Sequence, residues 1–256
     1  MSPAVFVARD IPVGKATDLG IPLVLSPSEG ESEMNLVARV LSPGQIIRDP
    51  IAGFENIPEG FFVVEGEQPI YISKDSPAVR RLIADIPADS SLYNRRFMVQ
   101  LWVSQDGSSG NIQSAIVANY LLEMESHDGS PTGGLPISIS PSVLELDESG
   151  SGLIAVTNND TVLHSIQCRI GSIEPSSQAV AISLSPGFEA GDASKFSVPA
   201  DNFLLGPAER KLILVKLSDI DFLKTQSADI EVLFWAEVPS IPEGSRFVRL
   251  RLLQKR

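Results

Sequence analysis

The sequence predicts an all-β protein made of two tandem antiparallel β-sandwiches, and three observations carry that expectation. First, the chain repeats itself. Residues 70–103 (IYISKDSPAVRRLIADIPADSSLYNRRFMVQLWV) and 196–238 (FSVPADNFLLGPAERKLILVKLSDIDFLKTQSADIEVLFWAEV) share one pattern. Each runs from a short apolar strand through a Pro-based turn to a strand alternating apolar and polar residues. A loop and an apolar strand holding a Trp follow. Self-similarity of this kind means two copies of one folding unit. Second, 19 Gly and 19 Pro stand singly between apolar runs, and those runs recur roughly every 8–12 residues, as sandwich strands do. Third, no long stretch has the 3.6-residue apolar period of an amphipathic helix. The 256 residues suit two domains, each large enough to bury its own core.

The elements follow in order. Residues 34–41 (MNLVARVL) read as a strand and 42–60 as a long loop. Residues 61–65 and 70–73 are short strands. Residues 75–85 contain Pro77 and match a strand of the second half, so they read as strand rather than helix. Residues 97–103 and 112–125 close a first domain, 1–125. Residues 126–136 (SHDGSPTGGLP) have the Gly, Pro, Ser and Asp content of a linker. In the second domain, 137–256, strands are expected at 143–146, 153–156, 162–170, 212–217, 230–238 and 246–253. They are separated by the acidic turn Asp147-Glu148-Ser149-Gly150 and the Asn-rich turn 157–160.

Alternation along the two Trp strands assigns their faces. Phe97, Val99, Leu101 and Val103 share one face, as do Ile230, Val232, Phe234 and Ala236. Both sets are wholly apolar and are expected in the core. Trp102 and Trp235 then point outward at matching positions. In the final strands Ile116, Ala118, Tyr120 and Leu122, and Val248, Leu250 and Leu252, are expected inward. Each domain is therefore expected to show an outward strip: Met98, Trp102, Val117 and Leu121 in the first, and Leu233, Trp235, Phe247 and Arg249 in the second. Exposed apolar strips mark interfaces, and Trp is enriched as an anchor there. The alternative is that a loop or the neighbouring domain covers the strip.

Composition excludes several function classes. Net charge is −12, with 9 basic and 17 acidic side chains in residues 1–130 and 11 and 15 in the remainder. That field repels a phosphate backbone, so no nucleic-acid partner is expected. No apolar run approaches the length of a membrane span, and no membrane insertion is expected. The first residues show neither the basic nor the apolar region of a signal peptide. The compartment stays open between the cell surface, if a leader has been removed, and the cytoplasm. The single cysteine, Cys168, excludes an internal disulfide. His164 and Cys168 are the one pair hinting at nucleophilic catalysis, but they share a strand face with Val162, Ile166 and Ile170 and read as core. No catalytic, phosphate-binding or zinc motif is present, and the acidic clusters lack the spacing of a calcium loop. No cofactor and no enzymatic activity are expected.

The stretch GFENIPEGFFVVEGEQPIYISKDSPAVRRLIADIPADSSLYNRRFMVQLWV resembles immunoglobulin-like domains of prokaryotic surface proteins. ISISPSVLELDESGSGLIAVTNNDTV, with FSVPADNFLLGPAERKLILVKL, resembles the PapD-like and major-sperm-protein-like branch of the same superfamily. The resemblance implies two immunoglobulin-like sandwiches and a structural or adhesive, protein-binding or self-associating module of a surface or envelope protein or larger assembly. Carbohydrate is a further partner class that outward tryptophans allow. The resemblance also raises a pilus-chaperone-like alternative, in which the last strand of the first domain adds to a subunit's sheet. Residues 112–122 are long and apolar enough for that. The basic pair with which that family grips a subunit's terminal carboxylate has no clear counterpart, since the first half holds Lys15 and Lys74 as its only lysines.

Overall fold

The computed structural model describes residues 1–2, 5–27, 33–45, 51–106, 115–128, 134, 136–173, 182–198, 202–219, 221–222 and 227–254. The strands are β1 (Val5–Ile11), β2 (Ala16–Asp18), β3 (Leu23–Leu25), β4 (Glu33–Val40), β5 (Glu55–Asn56), β6 (Phe62–Val64), β7 (Ile70–Ser73), β8 (Ala78–Arg80), β9 (Leu82–Asp85), β10 (Arg96–Gln105) and β11 (Ala115–Met124). There follow β12 (Ile137–Ser140), β13 (Val143–Glu145), β14 (Ser151–Asn158), β15 (His164–Gly171), β16 (Glu189–Ala190), β17 (Phe196–Ser197), β18 (Asn202–Leu205), β19 (Arg210–Leu217), β20 (Ile230–Glu237) and β21 (Arg246–Leu252). Among the described residues no helix is long and apolar enough to cross a membrane.

The chain divides into two compact units. Unit 1 comprises residues 1–50, 56–89 and 96–124, and unit 2 comprises 51–55, 90–95 and 125–256. The sequence reading placed 51–55 and 90–95 in the first domain; the structure groups them with the second. The contacts that hold 51–55 there are side-chain contacts remote in sequence, which a strand pattern does not encode.

In unit 2 one sheet runs β12-β14-β19-β17 and the other β13-β21-β20-β15-β18. These are the A-B-E-D and G-F-C orders of an immunoglobulin-like sandwich. Two segments change sheet: β12 pairs β14 and β13 pairs β21, while β17 pairs β19 and β18 pairs β15. Period-2 alternation drives one face of each sheet inward. Ile139, Ile154, Val156, Ile166, Ile213, Val215, Val232, Phe234, Val248 and Leu250 meet in one buried core.

Unit 1 repeats this plan strand for strand. Its larger sheet runs β1-β11-β10-β4-β7, against β13-β21-β20-β15-β18. Its other sheet is split into β2-β9-β6 and β3-β8, with a bridge from Ser2 to Val24 where unit 2 has β12 beside β14. Even the small off-path strands match: β5 lies beside β10 as β16 lies beside β20. Within residues 75–85 the chain is strand from Ala78, as expected rather than helix, and is broken at Arg81 into β8 and β9. The repeat alignment needs one correction. Ile70–Ser73 pairs with β4 and so corresponds to Asn202–Leu205, which pairs with β15; the counterpart of Phe196–Ser197 is Phe62–Val64. Both candidates are short and apolar, so sequence alone did not separate them.

The unit 1 core holds Phe97, Val99, Leu101, Ile70, Ile72, Leu82, Leu23 and Leu25. Phe62 stacks on Tyr120 with ring centroids 5.5 Å apart, and burial pushes the Tyr120 phenol up to about 12. Ile116 and Val162, expected inward, are 53% and 52% exposed. Ile116 is the second residue of β11, and Val162 precedes β15 in the turn.

Asn94 organises the start of unit 2. It is buried in the left-handed region, φ 63°. Its Oδ1 accepts from the amides of His127 and Ser142, both at 2.9 Å, and from Ser126 Oγ at 3.3 Å. Its Nδ2 donates to His127 O at 2.8 Å and to Ser140 Oγ. Ser126 and His127 are thus fastened by side-chain bonds rather than running as free linker. Residues 129–133 and 135 of the expected linker lie outside the described residues.

Candidate functional site

The outer face of the β10–β11 pair forms a series of rungs. Register places Arg96 opposite Glu123, Met98 opposite Leu121, Gln100 opposite Asn119 and Trp102 opposite Val117. β4 sets Arg39 beside Trp102, and β1 sets Val7 beside Leu121 and Val5 beside Asn119. The first rung is a buried charge cluster: Arg96 Nε lies 3.2 Å from Glu123 Oε2, and Arg9 Nε lies 3.5 Å from Oε1. Met98 and Leu121 are also buried. β1 flanks this rung on one side, and on the other the Ile57 amide donates to Met98 O at 3.1 Å. The face then opens. Trp102 and Val117 are half-buried, Arg39 is exposed, and Val5 is 42% exposed.

The corresponding face of unit 2 pairs Glu231 with Arg251, Leu233 with Arg249, and Trp235 with Phe247, with Arg169 beside Trp235. It is closed. Leu233, Trp235, Phe247 and Arg249 are 4%, 7%, 0% and 0% exposed. Two loop segments cover it, so the expectation of an outward strip fails for these four residues, as it does for Met98 and Leu121.

The first cover is residues 183–188. Arg249 Nη1 lies 2.6 Å from Glu231 Oε1 and donates to Ser183 O at 3.0 Å. Arg251 Nε lies 3.1 Å from Glu231 Oε2. Ser185 donates to the same carboxylate through its amide (3.1 Å) and hydroxyl (2.7 Å). Burial by itself pushes the Glu231 pKa up; the Arg249 charge and the bonds from Ser185 and Arg251 outweigh it and hold the carboxyl below its ordinary value.

The second cover is Ile51–Glu55. The Phe54 ring sits 6.1 Å from that of Phe247, which is 5.1 Å from Trp235. Phe54 is 0% exposed. Glu55 Oε2 meets Arg95 Nη2 at 2.6 Å, and Oε1 lies 3.4 Å from Arg246 Nη2. Gly53 adopts φ +87°, and a Cβ there would stand 2.5 Å from Phe247 Cδ1. Only glycine fits both demands.

Lining up the two units by topology exposes a second repeat that strand-based reading missed. Gly53-Phe54-Glu55 precedes and enters β5, and Gly187-Phe188-Glu189 precedes and enters β16. Both glycines have the same backbone, φ +87° and +86°. The Trp–Arg rung is shared too: Trp102 faces Arg39 and Trp235 faces Arg169. Arg169 lies over the Trp235 ring at 5.2 Å and pairs with Glu237 at 2.7 Å. The signal was present in the sequence, as the same tripeptide in two loops.

The matched glycines give a test. Gly187→Ala meets nothing within 4 Å among the described residues and is expected to cost about 1 kcal/mol from the left-handed backbone alone. Gly53→Ala adds overpacking against Phe247, for about 2–4 kcal/mol in all. Urea denaturation of both variants measures the difference; equal losses would show that the contact with Phe247 yields freely.

His164 and Cys168 point inward beside Ile166, all three buried. The His164 ring lies 3.0 Å from Asp160 Oδ2. The Thr161 amide, followed by His164, holds Asp160 below the usual carboxylate range. Among the described residues no group of three or more His, Cys, Asp or Glu side chains is placed to hold a metal ion.

No family model and no curated protein matches the chain. Solved structures do. A protein of unknown function from Porphyromonas gingivalis W83 aligns over 98% of this chain and 97% of its own, at 11% identity and TM-score 0.37. The YadV chaperone aligns over 98% of both at 12% identity and TM-score 0.32. A PapD-like domain of human CEP192 aligns over 51% of this chain and 95% of its own, at 13% identity and TM-score 0.31. Likeness at this level carries no argument about function. The immunoglobulin-like description rests on the strand order.

Proposed function

We propose that the chain is a non-catalytic structural or adhesive module of a surface or envelope protein, or of a larger assembly, that binds protein through the open sheet face of unit 1. One observation carries this. Two equivalent Trp–Arg rungs exist; the one at Trp235 is buried under Gly53 and Phe54, while the one at Trp102 is left half-buried beside Val117 and Arg39. An apolar strip with a Trp and a cation at its edge is suited to anchoring another protein. A photo-crosslinking side chain at Val117 is expected to capture a protein partner in the cells that make the chain. The same group at Leu212, exposed on another sheet of unit 2, is expected not to, and Trp102→Ser is expected to abolish capture. Equal capture at both positions would sink the reading.

A second reading has its own observation. β1 pairs β11 from Asn119 onward, so among the described residues Ala115–Ala118 have a strand partner on the β10 side alone, and Ile116 is 53% exposed. That segment suits strand addition, the pilus-chaperone-like mode. If capture is lost in Ile116→Asp but survives Trp102→Ser, strand addition is the better description. Residues 112–114 of the expected donor strand lie outside the described residues.

A further inference from the structure

We infer that the occupant of the Trp102 face is the Gly187-Phe188-Glu189 turn of a second copy of this chain; the inference rests on the reading of that face as a protein-binding site. The molecule already contains one such contact in seated form. In unit 2, Gly53 brings the backbone against Phe247, Phe54 sets its ring at a tilt beside the same ring, and Glu55 pairs with Arg246 and Arg95. The contact joins a Gly-Phe-Glu turn to a rung made of Trp, an apolar residue and Arg.

A second Gly-Phe-Glu turn and a second Trp–Arg rung stand elsewhere in the described residues. The Gly187 turn has the same sequence, the same positive φ and the same place before a strand beside β20. Among the described residues nothing lies within 4 Å of the position of its missing Cβ. Phe188 is half-buried, with the Arg251 guanidinium 4.7 Å from its ring centre, and Glu189 is exposed. The Trp102 rung is the matching acceptor. Val117 takes the place of Phe247 in register, and the smaller side chain leaves room for an incoming ring. Ile116 takes the place of Arg246, so apolar burial of Phe188 replaces part of the ion pairing. Charge is complementary: the turn is followed by exposed Asp192 and carries Glu189, while Arg39 is an exposed cation on a chain of net charge −12. Turn and rung are different elements of the chain, so the contact is heterologous and propagates into a ring or filament.

Sedimentation of the intact chain over a concentration series tests this. The wild-type chain is expected to grow in mass with concentration. Phe188→Ala removes the turn's ring and Trp102→Ser removes the rung; each is expected to weaken association by about thirtyfold, the loss typical of a central anchor. Each variant keeps the half the other lacks, so their mixture is expected to form a complex of one copy of each that grows no further. Arg39→Glu changes an exposed side chain, and is expected to weaken association even if Trp102→Ser impairs folding. A wild-type chain that stays monomeric overturns the inference. So does assembly that Trp102→Ser abolishes and Phe188→Ala leaves intact, an outcome that keeps the protein-binding reading of the face. Assembly indifferent to Phe188, Trp102 and Arg39 overturns both.

Discussion

Trp235→Ser is expected to lower the stability of unit 2 by about 3–5 kcal/mol, whereas Trp102→Ser lowers that of unit 1 by about 1 kcal/mol. The two residues occupy equivalent rungs, so the difference isolates what surrounds them. Trp235 is 7% exposed, sandwiched between the Arg169 guanidinium and the Phe247 ring, with Gly53 and Phe54 packed beyond. Removing it leaves a cavity lined by aromatic carbon and an Arg169 without its stacking surface. Trp102 is half-buried, and solvent can fill the space it vacates. Hydrogen exchange at the amides of β10 and β20 reads each unit separately. Equal losses at the two sites would refute the contrast.

Glu231→Ala is expected to be as severe in unit 2, at about 3–5 kcal/mol. Glu231 and Arg249 both have fully buried side chains, 2.6 Å apart. Without the carboxylate, Arg249 keeps the Ser183 carbonyl as a partner and loses the buried charge that faces it at 2.6 Å. Ser185 loses both its bonds to Glu231 and the 183–188 cover loses its anchor. Replacing Glu231 and Arg249 together by Leu and Met is expected to recover much of the loss, because both buried charges go at once. Denaturation of the single and double variants measures this, and a double variant no better than Glu231→Ala would contradict it. The pH dependence has a definite sign. The folded carboxyl is held below its ordinary value of 4.5, so its contribution is complete above that value and is lost as pH falls through the lower folded one. Unit 2 of the wild type is expected to weaken with acid in that window, and Glu231→Gln is expected to flatten the dependence.

The core faces were legible because they depend on local periodicity alone. Phe97, Val99, Leu101 and Val103 alternate and are buried, and so are Val232, Phe234, Val248 and Leu250. The outer faces were not, because alternation says which way a side chain points and not what arrives to cover it. Arg249 follows the polar half of its strand's pattern and is fully buried, because Glu231 neutralises it and Ser183 is delivered by a loop 66 residues away in sequence. Trp235 stands in register between Arg169 and Phe247, and its cover comes from Gly53 and Phe54, remote in sequence. The pairing of Trp102 with Val117, and of Trp235 with Phe247, follows from adjacent strands in register. The recurrence of Gly-Phe-Glu lay in loops, where a search for strand periods does not look.

The two buried charge clusters use the same ingredients on different rungs. In unit 1 the Arg96–Glu123 rung lies six residues before Trp102 on β10; in unit 2 the Glu231–Arg251 rung lies four residues before Trp235 on β20, with the acid on the opposite strand of the pair. Tandem copies of one fold are prone to exchanging strands while they fold. Pairing β10 with β21 in the Trp register would set Met98 against Arg251 and separate Arg96 from Glu123 and Arg249 from Glu231. Such a hybrid is heavily penalised, since a buried charge without its partner is among the most destabilising defects a sheet can hold. The offset between the clusters therefore makes the two hairpins poor substitutes for one another: each arginine finds its buried carboxylate in its own copy.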